Sequence, residues 1–389
     1  MIGVAILGCG VVGSGTMKML MENQARIDRA AGVEVRLKAV LDIRPVEAPE
    51  GVLVTNNFDD ILNDPEIQII AETIGGVGPA YDYTKRALEA GKSIVTANKE
   101  LVCAHGDELE EIGSRMGVRY LYEGAAGGAI PIIRPINLCL GGNHFNQIAG
   151  IVNGSTNYLL TRMEDQGLSF PTALEEAKRL GYVEADPSAD VEGHDARRKI
   201  AILAHEAFSS RFDDYAKVPC EGISRVTQED IRAAELFDGR IKLVARAGMQ
   251  GETWSGSVRP CFVPVGHPLY NIRDVFNAVL LRTDYAGDTT IAGRGAGSMP
   301  TASAVVGDII DAAKNPAAYP KGDFVPEFRE EPQVSRFVVR VDGSIPQELT
   351  NCEVRRMSGV LAIRTPVMAE GELKWMLADT RHGLLFPVL

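Results

Sequence analysis

MIGVAILGCGVVG, residues 1–13, is an apolar run that breaks into glycine. Residues 3–8 predict a buried strand and residues 11–22 a helix. Between them Gly8, Cys9, Gly10, Val11, Val12 and Gly13 have the G-x-G-x-x-G spacing. The first glycine permits a tight turn and the second lets the backbone approach a pyrophosphate. The third lets the helix pack on the strand. The helix N-terminus adds amide donors and partial positive charge. Three such glycines are a weak signal alone, but between a strand and a helix they point to a dinucleotide. The run has no basic leader, so it is read as a strand and not as a signal peptide. Cys9 sits inside the turn, where its small size is the simplest reason for it.

Outward from this turn the alternation continues. Strands are expected at 33–42, 67–72, 93–98 and 118–124. Helices are expected at 80–90, stopped by Gly91, and at 107–116, stopped by Gly117. Strands alternating with helices predict an α/β fold with a doubly wound parallel sheet, so residues 1–130 are expected to form a Rossmann-like NAD(P)-binding domain. After Pro131 the rhythm changes. Strands are expected at 146–153, 240–248, 253–263 and 287–294, with helices at 154–166, 172–180 (closed by Gly181), 195–208 and 301–314. This is an α+β domain over 131–314. Prolines and charges at 315–332 predict a linker. Residues 333–389 predict strand (335–341), short helix, two strands (352–357, 360–365), helix (369–379) and strand (384–389).

The chain has 389 residues, enough for two or three domains at roughly 150 residues each. A net charge of −12 argues against nucleic acid or an anionic membrane as partner. No apolar run is long enough to span a bilayer. The six cysteines are scattered without a C-x-x-C pair, which fits neither a disulfide framework nor zinc and suggests reduced thiols in a cytoplasm.

Several residues carry chemistry. Asp42 ends the second predicted strand and suits a ribose diol, favouring NAD; Arg44 suits a 2′-phosphate, favouring NADP. The two pull opposite ways, so the cofactor is expected to be NAD or NADP. Lys99 follows the strand at 93–98, at the sheet end where ligands of open parallel sheets bind. The densest chemistry is Gly181-Tyr182-Val183-Glu184-Ala185-Asp186-Pro187-Ser188-Ala189-Asp190-Val191-Glu192-Gly193-His194-Asp195, running on to Lys199. A solvated acidic loop is the bland reading. Against it, Asp195 and Lys199 are four apart on a predicted helix and can pair. Hydride delivery to an aldehyde makes an alkoxide, which needs a proton that a nearby lysine can supply. A neighbouring carboxylate would orient that lysine and favour its charged form. Glu184 could grip a substrate ammonium.

Together these motifs closely resemble the homoserine dehydrogenase family. The resemblance runs from residue 2 to about 312 through GCGVVG, TANKE (96–100), YEGAAGGAIP (122–131), GIVNGSTNYLLTRM (150–163), LGYVEADPSADVEGHDARRK (180–199) and GRGAGSMPTASAVVGD (293–308). It implies hydride transfer between a nicotinamide and the side-chain carbonyl carbon of L-aspartate 4-semialdehyde, giving L-homoserine. Lys199 matches the family's acid–base lysine and Lys99 its other active-site lysine. Glu184, Asp190 and Asp195 match substrate-binding carboxylates. Thr73 joins the cofactor set with the glycine turn, and Gly181, Gly295 and Gly297 match positions near the nicotinamide. Glu123, Ala126, Gly128 and Ile130 match a site for Na⁺ or K⁺, mostly through backbone carbonyls; from the residues alone this stretch is a glycine-rich turn. The resemblance also implies a homodimer. The last segment looks like a reduced ACT domain, with VDGSIPQEL where an effector-binding turn would stand. Two other readings are a paralogue acting on another small aldehyde or keto acid, and a non-catalytic nucleotide sensor. The intact Glu184, Asp195, Lys199 and Lys99 set argues against both.

Overall fold

β1 (Ile2–Leu7) is buried along almost its whole length, as a central strand of a sheet covered on both faces must be. The computed structural model describes residues 1–183, 186–317, 324–357 and 359–389. The chain divides into two compact units. One comprises Met1–His144, Ala201–Ala216 and Gly293–Pro326, the other Phe145–Ile200, Lys217–Ala292 and Glu327–Leu389.

In the first unit β1 is joined by β2 (Val35–Leu41), β3 (Leu53–Thr55), β4 (Ile67–Glu72), β5 (Ser93–Thr96) and β6 (Tyr120–Leu121). The order is β3-β2-β1-β4-β5-β6, and every pairing is parallel. Strand order reverses at β1, with β2 on one side and β4 on the other, so a crevice opens beyond their carboxyl ends. The expected doubly wound sheet is therefore present.

Local boundaries differ from expectation in informative places. The strand expected at 93–98 stops at Thr96, and the helix expected from 107 begins at Lys99 and runs to Met116. Its interior Gly106 looks like a helix break, but a Cβ there would lie 2.5 Å from the Phe212 ring. The strand expected at 118–124 shortens to Tyr120–Leu121, because a short helix starts at Glu123. The helix Gln24–Ala31, with only Ile27 and Ala31 buried, and the short strand β3 carry too little apolar pattern to read from sequence. The helix Ser298–Lys314 packs Val305, Val306, Ile309 and Ala312 into one core with Val4, Ile6, Leu20 and Val95.

The second unit is built on β7 (Phe145–Ile151), β8 (Gly239–Gln250), β9 (Thr253–Pro264), β10 (Phe276–Thr283), β11 (Asp288–Arg294) and β12 (Glu327–Phe328), in the order β11-β10-β7-β8-β9-β12. β10 was not expected: its run of buried residues has no alternation, which periodicity cannot assign. Helices Gly154–Gln166 and Gln228–Glu235 pack on this sheet. The C-terminal segment adds β13 (Val334–Ser335), β14 (Phe337–Arg340), β15 (Glu353–Met357), β16 (Val360–Arg364), β17 (Met368–Ala369) and β18 (Phe386–Pro387). Four of these form an antiparallel sheet, β15-β16-β14-β18, whose core includes Phe337, Val339, Ile363 and Leu373. Arg340 donates to Asp230 at 3.4 Å and Arg259 to Glu370 at 2.5 Å, tying the segment to the rest of this unit.

Lys242 on β8 is fully buried, and its amine donates to Asn157 Oδ1 at 2.9 Å and to the Ile272 carbonyl at 2.8 Å. Two acceptors suit the two N–H bonds of a neutral amine. Burial pushes its pKa down to about 7. An unfolded lysine keeps its proton to about pH 10.4, so between these values the unfolded chain binds a proton that the folded chain does not. Folding stability should therefore rise as pH rises from about 7 to 10, with a slope of up to about 1.4 kcal/mol per pH unit from this group. Urea unfolding of Lys242→Met across that range should lack the step; an unchanged slope would refute the assignment.

Candidate active site

The glycine turn carries the geometry that its spacing predicts. Gly8 has φ +85°, and a Cβ there would lie 2.8 Å from Ile74 Cα. A Cβ on Gly13 would lie 2.0 Å from the Gly8 carbonyl oxygen and 2.7 Å from Thr73 Oγ1. Gly10 faces open space, as a residue against which a phosphate must lie should. Thr73, the first residue after β4, donates its hydroxyl to the carbonyls of Leu7 and Gly8 at 3.0 and 2.6 Å. No side chain caps the helix Val11–Glu22, so its first amides are left for a ligand.

Asp42 and Arg44 come together. Asp42 Oδ1 accepts from the Arg44 amide at 2.9 Å and from Arg44 Nε at 3.1 Å. Its Oδ2 accepts from Arg44 Nη2 at 3.0 Å and from the Cys9 amide at 2.8 Å. The fork of hydrogen bonds from Arg44 holds this carboxyl far below the ordinary range. Asp42 is buried, while the Arg44 side chain is 66% exposed.

A residue that sequence reasoning missed orders the next strand ends. Glu72, the last residue of β4, is buried, and burial raises its pKa. It accepts from Thr96 Oγ1 at 2.6 Å and from the Ile74 amide at 2.8 Å. Asn98 donates to the Gly76 carbonyl and caps the helix Lys99–Met116 by accepting from the Leu101 amide at 3.1 Å. Lys99 is the first residue of that helix, where the macrodipole is positive. An Asn directly before the helix was a readable cap signal.

The segment 123–134 folds around one carboxylate. Glu123 is buried, and its Oε1 accepts from the amides of Ile132 at 2.6 Å and Ile133 at 2.8 Å. Its Oε2 accepts from the Arg134 amide at 2.9 Å, and its own amide donates to Asp308 Oδ2 at 2.9 Å. The Glu123 side chain is thus committed to the protein, so an ion beside Ala126, Gly128 and Ile130 would meet backbone carbonyls. Gly128 has φ +60°, and a Cβ there would lie 2.1 Å from the Gly295 carbonyl oxygen. Gly297, at φ +120°, precedes the helix Ser298–Lys314, and Ser298 Oγ donates to the Val11 carbonyl at 2.6 Å. Gly295 and Gly297 therefore lie between the nucleotide turn and the 123–134 segment.

In the second unit a network converges on Lys199. Its Nζ is 2.9 Å from Asp195 Oδ2 and 2.8 Å from the Val152 carbonyl oxygen, and both side chains are buried. Asn153 Nδ2 donates to Asp190 Oδ1 at 2.7 Å and to Asp195 Oδ2 at 2.9 Å. Asn153 Oδ1 also caps the helix Gly154–Gln166 by accepting from the Thr156 amide at 2.8 Å. The i,i+4 pair was expected; Asn153 was not, and its place before Gly154 was the signal. Gly181, at φ +75°, closes the turn after the helix Phe170–Arg179. Ser155 Oγ donates to the Tyr182 carbonyl at 3.0 Å and holds that turn. Glu184 lies outside the described residues.

This geometry suits nucleotide binding in one unit and proton handling in the other. A family model described as "Homoserine dehydrogenase, NAD binding domain" matches residues 8–123, and one described as "Homoserine dehydrogenase" matches residues 131–310. The chain is 43% identical over 315 residues to a homoserine dehydrogenase of Synechocystis sp., covering 79% of this chain and 72% of that protein. It is similar to the crystal structure of a homoserine dehydrogenase from Thiobacillus denitrificans, at 32% identity and TM-score 0.89, covering 100% of this chain and 98% of that one. It is also similar to a hyperthermophilic archaeal homoserine dehydrogenase in complex with NADPH, at 26% identity and TM-score 0.68, covering 82% of this chain and 99% of that one.

The contact at Gly13 gives a direct test. Gly13→Ala should open the turn and weaken NAD(P)H binding, read by nicotinamide fluorescence, at least about tenfold, or ~1.4 kcal/mol. Unchanged affinity would show that the turn does not carry the nucleotide.

Proposed function

The chain belongs to the homoserine dehydrogenase family of NAD(P)-dependent oxidoreductases, and on that premise we propose how its residues divide the reaction. The substrate pair is L-aspartate 4-semialdehyde and L-homoserine. The bound nicotinamide supplies or accepts the hydride at the side-chain carbon. Lys199 gives its proton to the oxygen that becomes the alcohol, and takes one back in the oxidative direction. Its ammonium has three N–H bonds; Asp195 and the Val152 carbonyl take two, which aims the third. Asp190 and Asn153 fix Asp195, which fixes Lys199. The observation that carries this reading is the buried Lys199–Asp195 pair. Lys99 serves as the second active-site lysine and Glu184 as the grip on the substrate ammonium. The carbonyls of Glu123, Ala126, Gly128 and Ile130 hold Na⁺ or K⁺.

Lys199→Ala should lower kcat by at least about a hundredfold in homoserine oxidation followed at 340 nm, with cofactor KM little changed. Near wild-type turnover would sink the assignment.

For the cofactor we propose NADP. The four hydrogen bonds on Asp42 use both carboxylate oxygens fully, so a ribose diol finds no acceptor there while Arg44 stays paired. The exposed guanidinium can still meet a 2′-phosphate. The likeness to an NADPH complex agrees. Arg44→Ala should lower kcat/KM with NADP at least about tenfold, ~1.4 kcal/mol, and leave NAD turnover nearly unchanged. A wild-type enzyme faster with NAD would reverse the assignment.

The chain's finer setting is also proposed: a cytoplasmic homodimer, joined through its second unit, that serves threonine and methionine biosynthesis. All six cysteines are free thiols, and among the described residues no helix is long and apolar enough to cross a membrane.

A further inference from the structure

Within the first unit, five polar side chains converge where none of the nucleotide or cation contacts lies. Glu110 comes from the helix Lys99–Met116, Tyr122 follows β6, and Asn137 lies on the π-helical turn Pro135–Cys139. His205 and Glu206 end the helix His194–Phe208. One ligand atom each from Glu110, His205 and Glu206 lies within 4.8 Å of the others.

The geometry of this group brings together ligand atoms of the kind that hold metal ions, two carboxylates and one imidazole. His205 Nδ1 lies 2.5 Å from the Ser210 carbonyl oxygen, which can only accept, so Nδ1 carries a hydrogen. Nε2, the other ring nitrogen, faces Glu110 Oε2 at 3.1 Å. The Phe212 ring, stacked at 3.7 Å and 17°, fixes the imidazole plane. The Tyr122 hydroxyl has one hydrogen but touches two carboxylates: Glu110 Oε1 at 2.5 Å and Glu206 Oε1. Two carboxylates and an imidazole nitrogen are thus held together in a half-buried place, where like charges repel strongly.

We propose that Glu110, His205 and Glu206 bind one divalent transition-metal ion, zinc or manganese, as a clamp between the helices that carry them. A single dication satisfies the Nε2 lone pair and both carboxylates. It leaves the Tyr122 hydrogen for one oxygen. The outer contacts are those of a built metal site: Nδ1–H on a backbone carbonyl, and Asn137 Nδ2 donating to Glu206 Oε2 at 2.6 Å. One imidazole with two carboxylates and no thiolate suits zinc or manganese and disfavours soft cuprous ion. Asn137 is exposed while His205 is buried, so an ion has one open side by which to arrive. The site is separate from the 123–134 segment, where the Glu123 carboxylate is occupied by three amides.

The test uses the full-length protein, stripped with a chelator, dialysed and titrated separately with Zn²⁺ and Mn²⁺. Bound metal is read by mass spectrometry, and melting temperature is read alongside. The wild type should take up one equivalent of either ion per chain and melt at a higher temperature with it. His205→Asn should bind at least tenfold more weakly and lose the thermal shift, while homoserine oxidation by the folded variant persists. Where His205→Asn does not fold, Glu206→Gln, which keeps the side-chain shape, decides by the same criteria. No uptake by the wild type, or equal uptake by wild type and variant, overturns the proposal. In the first case protons alone hold the cluster together; in the second the ion sits elsewhere.

Discussion

The buried carboxylate of Glu123 is the contact on which the first unit turns. An ionised group at this depth is costly unless its lone pairs are filled, and three backbone amides in a row, 132 to 134, fill them. The same residue gives its own amide to Asp308, and Asp308 pairs with the Arg134 guanidinium. Burial lifts the Asp308 carboxyl to about 7 against the pull of that arginine. The chain from 123 to 134 is thereby locked to the helix Ser298–Lys314. Without Glu123, three amides would be left short of acceptors. Its two jobs also explain why the strand expected at 118–124 stops early: the backbone must turn at Glu123 to aim both the carboxylate and the amide.

The nucleotide turn depends on that lock at one remove. Gly15 faces the helix Ser298–Lys314 so closely that a Cβ would lie 2.9 Å from Ser298 Oγ and 3.1 Å from Ala302 Cβ. Ser298 binds the Val11 carbonyl in the first turn of the opposing helix. A segment nearly three hundred residues after β1 therefore completes the wall of the glycine turn. The 295–297 turn has little freedom of its own, because Gly128 occupies the space against the Gly295 carbonyl. Small residues at 15 and 128 serve this close approach between segments far apart in sequence.

What the sequence disclosed followed how local each cause is. The glycine turn, β1 and the Asp195–Lys199 pair rest on spacings of a few residues, and they are found where expected. The partners of Lys199 do not. The Val152 carbonyl and Asn153 lie 42 to 47 residues upstream of the groups they meet, and only the folded chain, at the end of β7, brings them there. Asp42 and Arg44 were read as rivals for the ribose; adjacency could not tell that the arginine folds back onto the carboxylate. Gly106, inside the helix Lys99–Met116, is a gap for the Phe212 ring, a cause that no local pattern carries. The site's dense acidic stretch was legible as chemistry, but Glu184 within it stands outside the described residues.

Two buried lysines of the second unit show how one fold treats amines differently. Lys242 and Lys199 are both buried in the second unit, and each meets a side-chain oxygen and a backbone carbonyl. The difference is the charge of the side-chain partner. Lys242 faces the neutral amide of Asn157, so nothing in contact repays desolvation of its charge, and its pKa falls to about 7. Lys199 faces a carboxylate that Asn153 holds in place, so its proton has a counterion within 2.9 Å. A lysine that must release a proton to a nascent alkoxide has to carry that proton until the hydride arrives. The Asp195 contact meets this need, whereas the pull of Glu164 on Lys242 does not offset the cost of its burial. Proton transfer in this unit is thus assigned by which oxygen each buried amine meets, and the depth of burial alone would not have separated them.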